Sequence, residues 1–169
     1  FAFAILNPAT NTLFCARDHF GMRPFYYHHS GTRFVFASDA RDIFAVPEVP
    51  YAINEGRVAD FIVPDLEWID YTSTFYEGVY RLPPGNKVTG TIKGLRVSEY
   101  WAPQLGSHPG PMSDDDWREG FLDAFSNAVE ERLRSPVGRV GSMLSGGIDS
   151  GSVAAIANDM LKAGGEHPI

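Results

Sequence analysis

Hydrophobic residues in the first third of the chain occur in short runs separated by turn-forming residues. Residues 1–6 and 12–16 flank the turn 7–11, and residues 25–28 and 33–37 flank a short loop that contains glycine. Such runs, separated by a few turn residues, are typical of β-hairpins. Several are apolar throughout, which indicates strands covered on both faces. We therefore predict two hairpins in a β-rich segment.

The middle of the chain keeps this pattern, with one interruption. Residues 54–62 have helical spacing, with Asn54 as the N-cap and apolar residues on one side. Residues 75–81, 86–92 and 95–101 are strand-like and complete a small β segment.

The composition changes at residues 103–112, where three prolines and two glycines predict an interdomain linker. Ser113 then caps a helix, with Asp116 three residues later in a capping-box arrangement. Two arginines fall in the last turn of this helix, and Pro136 prevents its continuation. Its apolar stripe consists of Trp117, Phe121, Ala124, Phe125, Ala128, Val129 and Leu133.

An apolar run at residues 140–144 leads into Ser145-Gly146-Gly147-Ile148-Asp149-Ser150. Apolar residues then recur at helical spacing from Val153 to Leu161. The segment therefore predicts a strand, a glycine turn and a helix, the opening unit of a parallel-sheet α/β domain.

The residues of this turn suit a pyrophosphate group. Adjacent glycines let an anion approach the main chain closely, and the N–H groups of the following helix point at it. Ser145 and Ser150 add hydroxyl donors, and Asp149 adds a carboxylate suited to Mg²⁺ beside phosphates. The alternative is a turn in which Gly, Asp and Ser serve only turning and capping. Because such a string occurs by chance in only about one in 10⁴ chains of this length, we favour the phosphate site.

The string is neither the phosphate loop of kinases and GTPases nor a Rossmann glycine motif. It resembles the SGGxDS loop of the ATP pyrophosphatases, which cleave ATP between the α and β phosphates. Several families share that loop, so the rest of the chain must distinguish among them.

Five landmarks precede the loop: FAFAI at 1–5, ARDHFGMRPFYY at 16–27, FASD at 36–39, RLPPG at 81–85 and LRVSEYW at 95–101. In this order they make the chain similar to the glutamine-dependent asparagine synthetases. Departures are small: Asp39 stands where that family more often has Glu, and Gly151 where it often has a second Ser.

The resemblance implies a fold and a division into domains. Residues 1–102 would be the C-terminal, β-rich part of an α+β glutamine amidotransferase domain of the N-terminal-nucleophile type. Residues 103–112 would be the linker. Residues 113–169 would begin an α/β parallel-sheet ATP-pyrophosphatase domain, the asparagine synthetase part.

The resemblance also implies an activity. The amino-terminal domain would hydrolyse glutamine to ammonia. The other domain would use ATP and Mg²⁺ to turn the side-chain carboxylate of aspartate into an acyl-adenylate, which ammonia attacks. The ATP-binding residues that it implies are Leu144, Ser145, Gly146, Gly147, Asp149 and Ser150, with Asp149 holding the Mg²⁺.

Family members begin with a catalytic cysteine, whereas this chain begins at Phe1. We therefore expect an internal fragment of a longer enzyme, without a catalytic residue of its own. Cys15, the only cysteine, lies in an apolar run and is expected to be a buried hydrophobe. Two alternatives stay open: a relative with another acceptor, such as a β-lactam synthetase or lasso-peptide cyclase, and a non-catalytic segment.

Two further groups of polar residues are expected to be structural. Arg17 and Asp18, at the end of a predicted strand and followed by Gly21 and Pro24, should pair and shape the bend there. The five histidines form no zinc-ligand spacing and are expected to be solvated, with His28 and His29 pointing opposite ways on a strand.

Composition excludes some partners. With 14 basic and 21 acidic residues the net charge is −7, which disfavours nucleic acids and anionic membranes. No apolar run approaches the roughly 18 residues of a membrane span. One cysteine cannot form an internal disulfide, which suits the reducing cytoplasm. The expected partners are glutamine and aspartate, and a homodimer is allowed.

Overall fold

The computed structural model describes residues 1–31, 33–66, 69–91, 93–104, 106, 110, 112–135 and 138–165. The chain divides into two compact units, Phe1–Leu105 and Gly106–Ile169. The first is dominated by two antiparallel sheets, and the described part of the second has two helices.

The first sheet has four strands, which in spatial order are Ala2–Asn7 (β1), Thr12–Arg17 (β2), Asn86–Thr91 (β6) and Gly94–Glu99 (β7). The predicted hairpin at the start of the chain is confirmed, because β1 (Ala2–Asn7) pairs with β2 (Thr12–Arg17) in antiparallel register. Strand β2 also pairs with β6 (Asn86–Thr91), which forms a second hairpin with β7 (Gly94–Glu99). Residue 92, which the sequence placed in the sixth strand, lies outside the described residues.

The second sheet has three strands, which in spatial order are Arg33–Ala37 (β4), Tyr26–Ser30 (β3) and Val79–Arg81 (β5). Its hairpin of β3 (Tyr26–Ser30) and β4 (Arg33–Ala37) agrees with the sequence prediction. Strand β5 is confined to Val79–Arg81 and pairs with β3, so the predicted strand at 75–81 was too long at its start.

Buried residues of the strands and of the segments next to them build two hydrophobic clusters. Cys15, Phe25, Leu82 and Val88 form the first, between the two sheets. The second lies on the other face of β3 and contains Ile43, Val49 and Val79. A 3₁₀ helix at Ala40–Ala45 supplies Ile43, and helix α1 (Glu55–Ile62) begins at the predicted cap, where the Asn54 side chain accepts the Arg57 N–H.

The second unit has α2 (Asp114–Glu130) and α3 (Ile148–Ala163), which contact each other. The predicted capping box is present, since the Ser113 hydroxyl accepts the Asp116 N–H and the Asp116 carboxylate accepts the Ser113 N–H. Helix α2 ends at Glu130, one turn before the predicted end, and Nη1 of Arg132 donates to the carbonyl of Ala128.

The predicted strand at residues 140–144 is wrong for this structure, where the segment is irregular. A strand requires a hydrogen-bonded neighbour, and the described residues provide no partner for this segment. The β-rich character predicted for residues 1–102 is confirmed by the two sheets, whereas the parallel sheet of the second portion stays a prediction.

Candidate functional site

The loop of residues 144–150 joins the irregular segment to α3 and closes on itself through two serines. The hydroxyls of Ser145 and Ser150 are 3.0 Å apart, and the Ser145 N–H donates to Oγ of Ser150 (3.2 Å). Oγ of Ser150 donates to the Gly147 carbonyl (3.2 Å), and the Gly147 N–H donates to Oγ of Ser145 (3.4 Å). The serines that the sequence singled out therefore lie together at the start of the helix.

The two glycines leave the main chain of this loop open. Gly146 has φ +84°, a conformation that favours glycine, and no heavy atom lies within 4 Å of the position its Cβ would occupy. Gly147 is the N-cap of α3 and provides no side-chain cap. The first N–H groups of a helix have no intrahelical acceptor. An anion could therefore approach the N-terminus of α3 past Gly146, where no side chain stands in the way.

Asp149 is exposed in the first turn of α3, and Leu144, which precedes Ser145, is also exposed. Within the described residues, no group of three or more His, Cys, Asp or Glu side chains is placed to hold a metal ion. One carboxylate nevertheless fits Mg²⁺, which proteins commonly bind through one or two carboxylates together with substrate phosphates. The hydroxyl and N–H groups of the loop can therefore bind phosphate oxygens, and its carboxylate can bind the Mg²⁺ that accompanies them.

A second constellation brings together sequence landmarks that lie far apart in the chain. Arg17, at the end of β2, donates through Nη1 to the Leu82 carbonyl (2.6 Å) and through Nη2 to the Gly21 carbonyl (2.8 Å). Its Nε donates to the Arg23 carbonyl (2.8 Å). One guanidinium therefore ties the loop after β2 to the segment that follows β5.

Asp18 organises the same loop from the opposite side. Its carboxylate accepts the N–H groups of Phe20 (3.2 Å), Met22 (2.9 Å) and Arg23 (3.2 Å), and the backbone nitrogen of Phe1 (3.1 Å). Burial by itself would raise the pKa of Asp18, but the hydrogen bonds led by that of Met22 lower it well below its usual value. The predicted Arg17–Asp18 pair is thus replaced by two residues that each bind backbone groups.

Gly85 joins this corner to the end of the first sheet. Its N–H donates to the Asp18 carbonyl, and its carbonyl accepts the N–H groups of Tyr100 and Trp101. It has φ +65°, and a Cβ there would collide with the Trp101 carbonyl oxygen. Only glycine fits, which is the physical reason for the last residue of RLPPG.

Aromatic rings cover the corner. The His19 ring lies 4.7 Å from the Trp101 ring, between centroids, and the Phe20 ring lies 5.4 Å from it. The Tyr100 hydroxyl donates to the Arg17 carbonyl (2.7 Å). The segments 17–24, 81–85 and 99–101 therefore form one structural joint, which we call the landmark corner. The sequence predicted a bend at Arg17 and Asp18, but the segments 81–85 and 99–101 served only as markers of a family, because their contacts with this bend join residues far apart in the chain.

The structure also tests the predicted burial of Cys15 and the predicted exposure of His28 and His29. Cys15 is fully buried in β2, as predicted, and burial raises the pKa of its thiol to about 11. His28 is only 7% exposed, and its Nδ1 lies 2.8 Å from the Gly78 carbonyl, so the expectation that it is solvated was wrong. Its burial follows from β3, which directs alternate residues to opposite faces, and His29 is exposed as expected.

Comparisons with known proteins agree with the two units. Residues 1–101 match the family described as the glutamine amidotransferase domain, and residues 120–168 match the family described as asparagine synthase. None of the helices in the described part of the chain has the length and apolar character needed to cross a membrane.

Several curated proteins are similar along nearly the whole chain. Asparagine synthetase [glutamine-hydrolyzing] 3 of Bacillus subtilis is 31% identical over 169 residues, which is 100% of this chain and 27% of that protein. Asparagine synthetase [glutamine-hydrolyzing] 2 of the same organism is 28% identical over 166 residues (93% and 22%). Amidase chry2 of Gibberella zeae is 29% identical over 168 residues (97% and 24%). The chain spans less than a third of the length of each of these relatives.

Proposed function

Because the chain belongs to the glutamine amidotransferase domain family, we propose that it is part of a glutamine-dependent asparagine synthetase. The reaction would be an ATP-dependent C–N ligation that supplies asparagine for amino-acid biosynthesis. The first unit would belong to the domain that releases ammonia from glutamine, and the second to the domain that activates the aspartate carboxylate. The support is the succession of the two family matches along one chain.

A carboxylate is a poor electrophile, and ATP supplies an AMP group that converts a carboxylate oxygen into a good leaving group. In this proposal, the residues of the 144–150 loop hold the phosphates during that step. The backbone N–H groups at Gly146 and Gly147 and the hydroxyls of Ser145 and Ser150 would stabilise negative charge on the departing pyrophosphate. Leu144 would line the same site.

We assign the metal-binding role to Asp149. It is exposed in the first turn of α3, next to the serines that face each other across the loop. A carboxylate there would hold Mg²⁺ between the protein and the phosphate oxygens. The arrangement of Ser145, Ser150 and Asp149 around an open helix start is the observation that carries this proposal.

The first unit contributes a framework rather than a nucleophile. Cys15 is enclosed by the hydrophobic cluster between the sheets, and burial keeps its thiol protonated at neutral pH. We therefore propose no catalytic residue within this chain for glutamine hydrolysis. The buried free thiol is also compatible with the cytoplasmic location that we propose.

A second candidate function differs in the group that attacks the activated carboxylate. A related enzyme of the β-lactam synthetase or lasso-peptide cyclase type would use the same loop and join the activated carboxylate to an internal amine. A protein named as an amidase is 29% identical to this chain, so similarity at this level is not confined to proteins named asparagine synthetase.

The decisive test replaces Asp149 with asparagine in the complete parent enzyme. Asp149 is exposed and is not the N-cap of α3, so Asp149→Asn should fold normally. Because an amide is a much weaker magnesium ligand than a carboxylate, the variant should lose adenylation. We expect ATP–pyrophosphate exchange to fall by about 10²–10³ while glutaminase activity persists. Asp159→Asn, an exposed carboxylate of the same helix, is the matched control and should leave both activities unchanged.

The outcomes separate the two interpretations of the loop. Unchanged exchange in Asp149→Asn would remove Asp149 from the mechanism. Loss of both activities together with a lowered melting temperature would favour the interpretation in which the loop only turns and caps the chain. Exchange that depends on an acceptor other than aspartate would select the second candidate.

A further inference from the structure

A cavity of about 340 Å³ opens between the two sheets of the first unit, at the end where three hairpin turns meet. This volume falls within the range of small-molecule sites, about 300–1,000 Å³. The hairpins β1–β2, β3–β4 and β6–β7 each contribute to its wall. The cavity lies inside one unit and is independent of the 144–150 loop.

A glycine creates the space. In the first sheet, Leu6 pairs with Leu13, Leu13 with Gly90, and Gly90 with Leu95, so these positions form one row across four strands. Leu13 and Leu95 pack against the cluster between the sheets, which shows that the row faces the second sheet. Gly90 leaves one place in this apolar row without a side chain.

The facing sheet supplies an aromatic side chain and a histidine to the same cavity. His29 and Phe34 are a register pair of β3 and β4, and both line the cavity. Phe34 packs against the cluster between the sheets. The space left by Gly90 is therefore bounded by Leu13 and Leu95 on one side and by Phe34 on the other.

The rim of the cavity is positively charged, although the chain has a net charge of −7. Arg33 and Lys93 lie in its wall, and its described lining includes no Asp or Glu. Glu48 lies outside the lining and pairs with Nη1 of Arg33 at 2.6 Å, so Lys93 is the main cationic group that faces a ligand.

We propose that this cavity binds a small aliphatic carboxylate. The alkyl chain occupies the apolar place over Gly90, and the carboxylate lies at the rim near Lys93 and Arg33. An apolar floor with one charged contact at its edge is the usual arrangement by which a pocket orients an amphipathic anion.

The test uses octanoate as the probe and the complete chain labelled with ¹⁵N. We expect octanoate to shift the amide resonances of Gly31, Gly90 and Gly94 with saturation in the millimolar range, because all three glycines line the cavity. Octan-1-ol, the neutral analogue, should bind at least about tenfold more weakly, since it lacks the charge that Lys93 contacts.

Two variants examine the two halves of the site. Gly90→Val should abolish binding without lowering the melting temperature, because a Cβ there meets only Leu13 atoms at 3.7 and 3.9 Å, and valine suits strands better than glycine. Lys93→Gln should weaken octanoate binding about tenfold. Lys87→Gln is the control, since Lys87 lies on β6 and faces away from the side of Gly90, so its loss should not change binding.

The proposal is overturned if octanoate leaves these amides unshifted, or if octan-1-ol binds equally well. It is also overturned if Gly90→Val retains binding in a folded protein, or if Lys87→Gln weakens it as much as Lys93→Gln. Shifts confined to other surfaces would likewise place the carboxylate elsewhere.

Discussion

At the residue scale, the landmark corner is held by side chains that bind backbone groups rather than one another. The three guanidinium nitrogens of Arg17 donate hydrogen bonds to three backbone carbonyls. Both carboxylate oxygens of Asp18 accept hydrogen bonds from backbone N–H groups. Gly85 is required by its left-handed conformation and by the Trp101 carbonyl beside it. Such contacts fix a loop firmly because each one satisfies a backbone group that burial would otherwise leave unpaired.

Asp18→Asn should destabilise the first unit. The neutral amide cannot replace the charge-assisted hydrogen bonds to Phe20, Met22 and Arg23, and we expect a loss of about 1–3 kcal/mol in the free energy of unfolding at pH 7. Urea unfolding followed by circular dichroism measures this change. Asp65→Asn, an exposed carboxylate of the same unit, is the control and should stay close to the wild type.

The pH dependence of the same unfolding provides a second check. The folded-state pKa of Asp18 is lowered, so the ionised carboxylate adds to the free energy of unfolding above the unfolded-state pKa of about 3.9. This stabilisation is lost as the pH falls from there towards the folded-state pKa. The stability difference between wild type and Asp18→Asn should therefore shrink on acidification below about pH 4. A difference that is constant from pH 7 to pH 2 would contradict the assigned role.

At the element scale, local sequence signals explain the helix starts. Asn54 and Ser113 cap α1 and α2 as their positions predict, because an N-cap acts within three residues along the chain. The irregular segment at 140–144 is the contrasting case, since apolar residues form a strand only when a neighbouring strand accepts their hydrogen bonds. Helices are therefore recovered from local sequence more reliably than single strands.

Ser113→Ala should weaken the start of α2 by about 1 kcal/mol, because the Asp116 N–H loses its acceptor, Oγ of Ser113 at 3.2 Å. Hydrogen exchange of the Asp116 amide should accelerate, while exchange near the end of the helix at Val129 changes little. Ser113→Thr keeps the hydroxyl and should restore protection. Equal exchange in all three proteins would show that the capping box contributes nothing measurable.

At the scale of the whole molecule, the chain consists of two units that divide at residues 105 and 106. The first has a hydrophobic cluster between two sheets, and the described part of the second consists of two helices with several exposed apolar side chains. This division lies within the Pro- and Gly-rich segment 103–112 that the sequence predicts as a linker. The exact domain boundaries of the parent enzyme stay a prediction.

Limited proteolysis of the parent enzyme should cut first between residues 106 and 110, because Pro- and Gly-rich segments at domain boundaries are preferred sites of nicking. Mass spectrometry of the earliest fragments identifies the bond. Cleavage that begins within residues 137–144 would mean that the boundary lies after α2 and not before it.

The sequence by itself determined the elements that depend on near neighbours and the motifs that depend on residue type. The hairpins at the start of the chain, the caps of α1 and α2 and the buried Cys15 could be predicted, because short apolar runs, turn chemistry and capping act over a few residues. The likeness to the asparagine synthetase family could be predicted from the residues of its landmarks and of the 144–150 loop. The serines of the 144–150 loop could be singled out for the same reason, although their phosphate-binding role stays a proposal.

Only the tertiary structure decided which distant segments meet. The hydrogen bond from Arg17 to Leu82, the burial of His28 and the space over Gly90 all depend on strand order and register. Strand order is fixed by how two sheets bury their apolar faces together, which is a property of the whole chain rather than of any local pattern. The landmark corner and the cavity between the two sheets therefore could not be predicted before the positions of β2, β5, β6 and β7 were known.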